Sequence, residues 1–140
     1  MTQYPQLLHT VLDTTRPREL AEFYRLLLGL VYRPGDEPPE DGTPDRPEWL
    51  VLRASDGTNR LAFQRVERLP RTTWPAHDVP MQAHLDLTVP DTAELTRQRR
   101  RAEELGAELL LDRYDDPDEP LYVFADPSGH PFCIFVRTPG

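Results

Sequence analysis

Apolar positions along the chain fall into two periods, and the two periods follow one another in the same order twice. Leu20, Phe23, Tyr24, Leu27 and Leu28 lie three and four residues apart, the spacing that lines one face of a helix. They predict a helix from about Pro17 to Leu28. Leu95, Arg99, Ala102 and Leu105 set out a second from about Asp91 to Leu105. Gly29 and Gly106 stand where helix C-caps belong. Ahead of each helix runs an extended apolar stretch, Leu7 to Asp13 and Gln82 to Val89, whose length and content read as strands. Behind each glycine comes a short strand, Leu30 to Arg33 or Glu108 to Asp112. A strand pair then closes each half: Trp49 to Arg53 with Arg60 to Arg65, and Tyr122 to Ala125 with Pro131 to Val136. The turns Ser55-Asp56-Gly57 and Asp126-Pro127-Ser128-Gly129 separate the paired strands.

This order is an internal repeat. His9 is followed by Leu12, Glu19 and Leu20 at offsets of 3, 10 and 11, and His84 by Leu87, Glu94 and Leu95 at the same offsets. The expected fold class is therefore α+β, built from two βαβββ modules. A length of 140 residues supports one domain with a real core. Its expected organisation is a single domain over 1–140, with module 1 at 1–68, a linker at 69–80 and module 2 at 81–140. The acidic, proline-rich stretch from Pro34 to Pro47 reads either as a loop bordering the first sheet or as a disordered tip.

Composition narrows the function classes. The 16 basic residues, all arginine, face 24 acidic ones for a net charge of -8, the wrong sign for attraction to nucleic acid or an anionic membrane. Neither is expected as a partner. The single cysteine, Cys133, can form no internal disulfide and no cysteine-only zinc site, which fits a reducing cytoplasm. No basic start leads into an apolar stretch, and nowhere do about 20 apolar residues run together, so neither export signal nor membrane span is expected. No phosphate-cradling loop or dinucleotide fingerprint occurs.

Strand alternation picks out candidate site residues. His84, Asp86 and Thr88 share one face of their strand while Leu85, Leu87 and Val89 share the other, so His84 is expected to point away from the helix and into a cavity. His9 shares its face with Val11 and Asp13 and is placed in the same way. Alternatively, both imidazoles are partly buried and hydrogen-bond within the sheet. In Leu61-Ala62-Phe63-Gln64, Ala62 and Gln64 share a face. Cys133 reads as a small buried hydrophobe or as a reactive thiol or metal ligand. Trp49, Phe63, Trp74 and Phe135 are either core or the wall of an apolar pocket, Trp49 being the best placed because it starts a strand beside the proline-rich loop. His77 and His130 are expected in solvent. Arg97, Arg99, Arg100 and Arg101 read as a solvated helix face paired with nearby glutamates.

His9, Glu22-Phe23-Tyr24, Leu28-Gly29-Leu30, His84-Leu85-Asp86-Leu87 and Asp126-Pro127-Ser128-Gly129-His130 follow one another in a set order and spacing. Together they resemble the vicinal oxygen chelate superfamily, which includes glyoxalase I, bleomycin resistance proteins and extradiol dioxygenases. The resemblance covers nearly the whole chain. It implies that the modules curl into a half-barrel around a shared cavity, with metal ligands on the first and last strand of each module, and that the chain pairs as a homodimer. Carried over residue by residue, the ligand set is His9, Gln64, His84 and Cys133, for zinc, nickel or iron. Cys133 stands where the family usually has a glutamate. Two histidines, an amide and a thiol supply less charge than a catalytic zinc or non-haem iron site asks for. The expected function is therefore binding of a small organic molecule without a complete catalytic metal site, through His9, His84, Asp86, Trp49, Gln64, Cys133 and Phe135. The alternative is a divalent-metal lyase or isomerase of the glyoxalase type or, with less support, a ring-cleaving dioxygenase.

Overall fold

The computed structural model describes residues 3–137. The first module runs β1 (Thr10–Thr14), α1 (Pro17–Leu28), β2 (Val31–Tyr32), β3 (Trp49–Arg53) and β4 (Asn59–Arg65). The second runs β5 (Leu85–Val89), α2 (Thr92–Leu105), β6 (Glu108–Arg113), β7 (Leu121–Ala125) and β8 (Pro131–Val136). Each forms its own four-stranded mixed sheet, ordered β1-β4-β3-β2 and β5-β8-β7-β6. In both, the first strand lies parallel to the last and the remaining pairs are antiparallel. The repeat read from the sequence is thus a repeat of topology. The chain divides into two compact units between Leu69 and Pro70.

Local chemistry accounts for the helix ends. Pro17 opens α1, where its missing N–H costs nothing, and Asp91 caps α2, its carboxylate accepting from Glu94 N at 2.8 Å. Gly29 and Gly106 end the helices at φ 67° and 118°, a left-handed region in which a side chain would be strained. The first strand of each module is shorter than expected. β1 starts at Thr10 and β5 at Leu85, so His9 and His84 sit just ahead of their strands instead of inside them.

Each sheet buries one face under its helix. In the first unit Leu20, Tyr24 and Leu27 of α1 are buried with Leu50, Leu52, Leu61 and Phe63, and the Tyr24 and Phe63 rings stack at 6.2 Å. Phe63 is therefore core, not pocket wall. In the second, Leu95 and Ala102 are buried with Tyr122, Phe124, Phe132 and Ile134, the Phe124 and Phe132 rings stacking at 5.1 Å. Of the arginine run on α2, Arg97 meets Glu94 at 2.6 Å and Arg99 meets Glu103 at 2.9 Å, as expected, while the Arg99 guanidinium also lies 4.8 Å over the buried Tyr122 ring and Arg101 donates to Gln98.

The proline-rich loop is pinned to the first sheet. Asp36 accepts from Val51 N at 2.9 Å, and Arg18 of α1 donates to the Asp45 carboxylate and the Asp36 carbonyl, each at 2.7 Å. Of the two sequence readings, the bordering loop is the one observed. Below it Tyr32 donates to Glu22 at 2.6 Å, and Arg25 grips the same carboxylate at 2.7 Å. The Arg25 hydrogen bond holds Glu22 below its ordinary value. Burial, then Glu22, pushes Tyr32 up to about 12.

Candidate functional site

The face of the first sheet away from α1 carries the candidates of the first unit. Register puts Asp13, Gln64 and Trp49 in one row across β1, β4 and β3, and Val11, Ala62 and Val51 in the next. Residues in one row project to one face, so Gln64 and Trp49 lie where alternation places them. Half-buried His9 leads into β1, and its ring centroid lies 6.0 Å from that of Trp49, tilted by 49°.

A residue missed in the sequence completes this group. The β3–β4 pairing is irregular at Leu52/Arg53: Leu52 opposes Leu61, yet Arg53 opposes Asn59, leaving Arg60 as the extra residue of a bulge. The bulge brings Asn59 beside Arg53. Arg53 Nε donates to Asn59 Oδ1 at 2.9 Å, and Asn59 Nδ2 lies 3.1 Å from His9 Nδ1. An asparagine just after the turn at Ser55-Asp56-Gly57 gives no sequence signal of this, because alternation presumes an unbroken ladder.

In the second unit Asp86 pairs with Cys133 across β5 and β8, and Thr88 with Phe135. His84, Asp86, Cys133 and Phe135 share the face away from α2. His84 Nε2 lies 3.1 Å from Asp86 Oδ1, and the Cys133 thiol donates to the same oxygen at 3.1 Å. Burial first, and then the adjoining Asp86 carboxylate, pushes this thiol from 9.0 up to about 12. It is therefore a neutral hydrogen-bond donor at physiological pH. One donor atom from each of His84, Asp86 and Cys133 falls within 4.8 Å of the others. Zinc bond lengths imply ligand–ligand spacings of about 3.4–3.6 Å in a tetrahedral centre, so small side-chain movements would let an imidazole, a carboxylate and a thiolate hold such an ion. The chemistry of the set fits zinc, provided that the thiol gives up its proton.

Asp86 is thus the residue that joins His84 to Cys133, whereas the resemblance offered the latter two, with His9 and Gln64, as a metal set. His9 and Gln64 belong to the first unit and His84 and Cys133 to the second. Trp74 is half-buried in the segment joining the modules, and His77 is exposed as expected. His130 is half-buried and not in open solvent, and its backbone N–H donates to the buried Asp126 at 3.0 Å. No described helix is long and apolar enough to cross a membrane.

Comparison with known proteins agrees with this architecture. A glyoxalase/bleomycin resistance protein/dioxygenase family enzyme from Burkholderia phytofirmans PsJN superposes with a TM-score of 0.67 at 14% identity, covering 92% of this chain and 96% of that one. Fosfomycin resistance protein FosX from Mesorhizobium loti gives a TM-score of 0.65 at 14% identity over 99% of this chain and 95% of that one. A mutant FosX from Listeria monocytogenes, complexed with Mn(II) and 1S,2S-dihydroxypropylphosphonic acid, gives 0.67 at 16% identity over 99% and 95%. At such identities the likeness is one of fold. No curated protein matches the chain. The model of the glyoxalase-like domain matches residues 9–135, and the chain belongs to that family.

Proposed function

We propose that this protein binds a small organic molecule through the sheet faces that carry His9, Trp49 and Gln64 in the first module and His84, Asp86, Cys133 and Phe135 in the second, without needing a metal. The carrying observation is the hydrogen bond from the Cys133 thiol to Asp86 Oδ1 at 3.1 Å. Where the resemblance calls for a charged glutamate, this chain has a thiol pushed up to about 12 that donates to Asp86. The site therefore offers hydrogen-bond donors and aromatic surface, with Asp86 as its one carboxylate, already engaged by His84 and Cys133. Affinity would come from the Trp49 and Phe135 rings and orientation from the imidazoles. The same reading has a homodimer in the cytoplasm, which light scattering on the purified chain tests in part.

A second reading, a metal-dependent lyase or isomerase, is favoured by the convergence of His84, Asp86 and Cys133 within 4.8 Å. These three residues would hold a divalent ion, which would supply a Lewis acid for vicinal oxygens.

Thermal denaturation in chelator against a panel of aromatic and oxyanionic molecules separates the two readings. A ligand at 100 times its Kd stabilises by about 2.7 kcal/mol, which raises Tm by roughly 8–10 °C for a domain of this size. Trp49→Ala should abolish that rise. No stabilisation in chelator, together with stoichiometric zinc, nickel or iron that is lost in both His84→Ala and Cys133→Ala, would overturn the binder in favour of the enzyme.

A further inference from the structure

We propose that Asn59 fixes the hydrogen-bond polarity of His9, keeping Nδ1 an acceptor and the proton on Nε2, so that His9 meets its ligand as a hydrogen-bond donor and not as a metal ligand. The guanidinium of Arg53 can only donate. Its Nε reaches Asn59 Oδ1 at 2.9 Å, which sets the amide: the oxygen faces Arg53 and the nitrogen faces His9. The amide nitrogen also only donates. Standing 3.1 Å from His9 Nδ1, it requires a lone pair there, and a neutral imidazole with a lone pair on Nδ1 carries its proton on Nε2.

A metal bound through Nε2 needs the opposite arrangement. Ligating histidines donate their other N–H to a carboxylate, a carbonyl or water, and Asn59 Nδ2 can accept nothing. Turning the amide over would give His9 an acceptor but would set Nδ2 against Arg53 Nε, donor against donor. The bulge that places Asn59 opposite Arg53 therefore decides what His9 can do.

The second module is wired the other way. His84 Nε2 lies 3.1 Å from the Asp86 carboxylate, an acceptor. The two histidines occupy matching places in the repeat, yet one receives a hydrogen bond and the other gives one. The ligand class that His9 would take is an acceptor oxygen, as in a carbonyl, carboxylate or phosphonate group. That class rests on the small-molecule reading above, whereas the tautomer stands without it.

Long-range proton–nitrogen NMR correlations of the histidine rings, with His9 assigned by His9→Gln, read the tautomer directly in chelated protein. The expected result is a wild-type His9 protonated on Nε2. In Asn59→Asp the carboxylate accepts from both Arg53 and His9, so the proton should move to Nδ1. Zinc titrated into His84→Ala should leave the His9 signals in place. Zinc titrated into His84→Ala/Asn59→Asp should shift them, with affinity at His9 raised by about 10–100-fold. A wild-type His9 protonated on Nδ1, or zinc bound through Nε2 as tightly with Asn59 as with aspartate, would overturn the proposal. The wild-type spectrum decides even if the aspartate variant fails to fold. A chain with the expected tautomer that binds no organic molecule would fault the function above and leave the role of Asn59 standing.

Discussion

Cys133 should react slowly for a half-exposed thiol. It is the sole cysteine of the sequence, so a disulfide reagent reads it without interference. With the thiol at about 12 against an ordinary 9.0, the thiolate fraction at pH 8 falls about a thousandfold, one factor of ten for each unit. The thiolate that does form is more nucleophilic. With a Brønsted slope of 0.4–0.5, three units return about 15–30-fold. The net expectation is a reaction about 30–70-fold slower than that of the urea-unfolded chain, with chelator present throughout. Asp86→Asn removes the second cause of the shift and should recover part of the rate, while burial keeps the rest. Equal rates for native and unfolded chain, or a native pH–rate profile turning near 9, would refute the account of the Asp86–Cys133 pair. The sign for stability follows from the same shift. Between 9.0 and about 12 the native state holds a proton that the unfolded chain has released, so this group's contribution is present below pH 9 and is lost as pH rises across that window.

Tyr32→Phe removes the 2.6 Å hydrogen bond to Glu22 and should cost about 1 kcal/mol in urea denaturation, a charge-assisted bond discounted for its partial exposure. Because Arg25 and Tyr32 hold Glu22 below 4.5, its contribution is present above that pH and fades as the pH falls through the lowered value. Glu22→Gln should therefore flatten the acid limb of the stability curve, and an unchanged acid midpoint would count against this. Phe63→Ala, at a fully buried ring stacked on Tyr24, should cost about 3–5 kcal/mol. Asp91→Ala, which loses only the α2 cap, should cost about 1 kcal/mol. If calorimetry ranked these two the other way, the placement of the core under α1 would be wrong.

Fold class and most element boundaries are legible in the order of residues alone. Both helices announce themselves through apolar spacing and glycine caps: α1 is observed over Pro17–Leu28 and α2 over Thr92–Leu105 with Asp91 as its cap. Strands β3 and β8 also span the residues expected for them as members of turn-linked pairs. These signals are local, because helix periodicity, capping and turn chemistry act over three or four residues. The repeat added the topology, since like order in two halves gave like sheets. The side-chain partners of the candidate site are a matter of tertiary structure. Asp86 and Cys133 are 47 residues apart, and only the parallel pairing of β5 with β8 sets them side by side. His9 and Asn59, 50 residues apart, meet through the β1–β4 register and a one-residue bulge beside Leu52/Arg53. A bulge shifts every side chain beyond it, and its position depends on how two distant strands pack rather than on the residues within either. For that reason His9 and His84 look alike in sequence and differ in hydrogen-bond polarity in the fold.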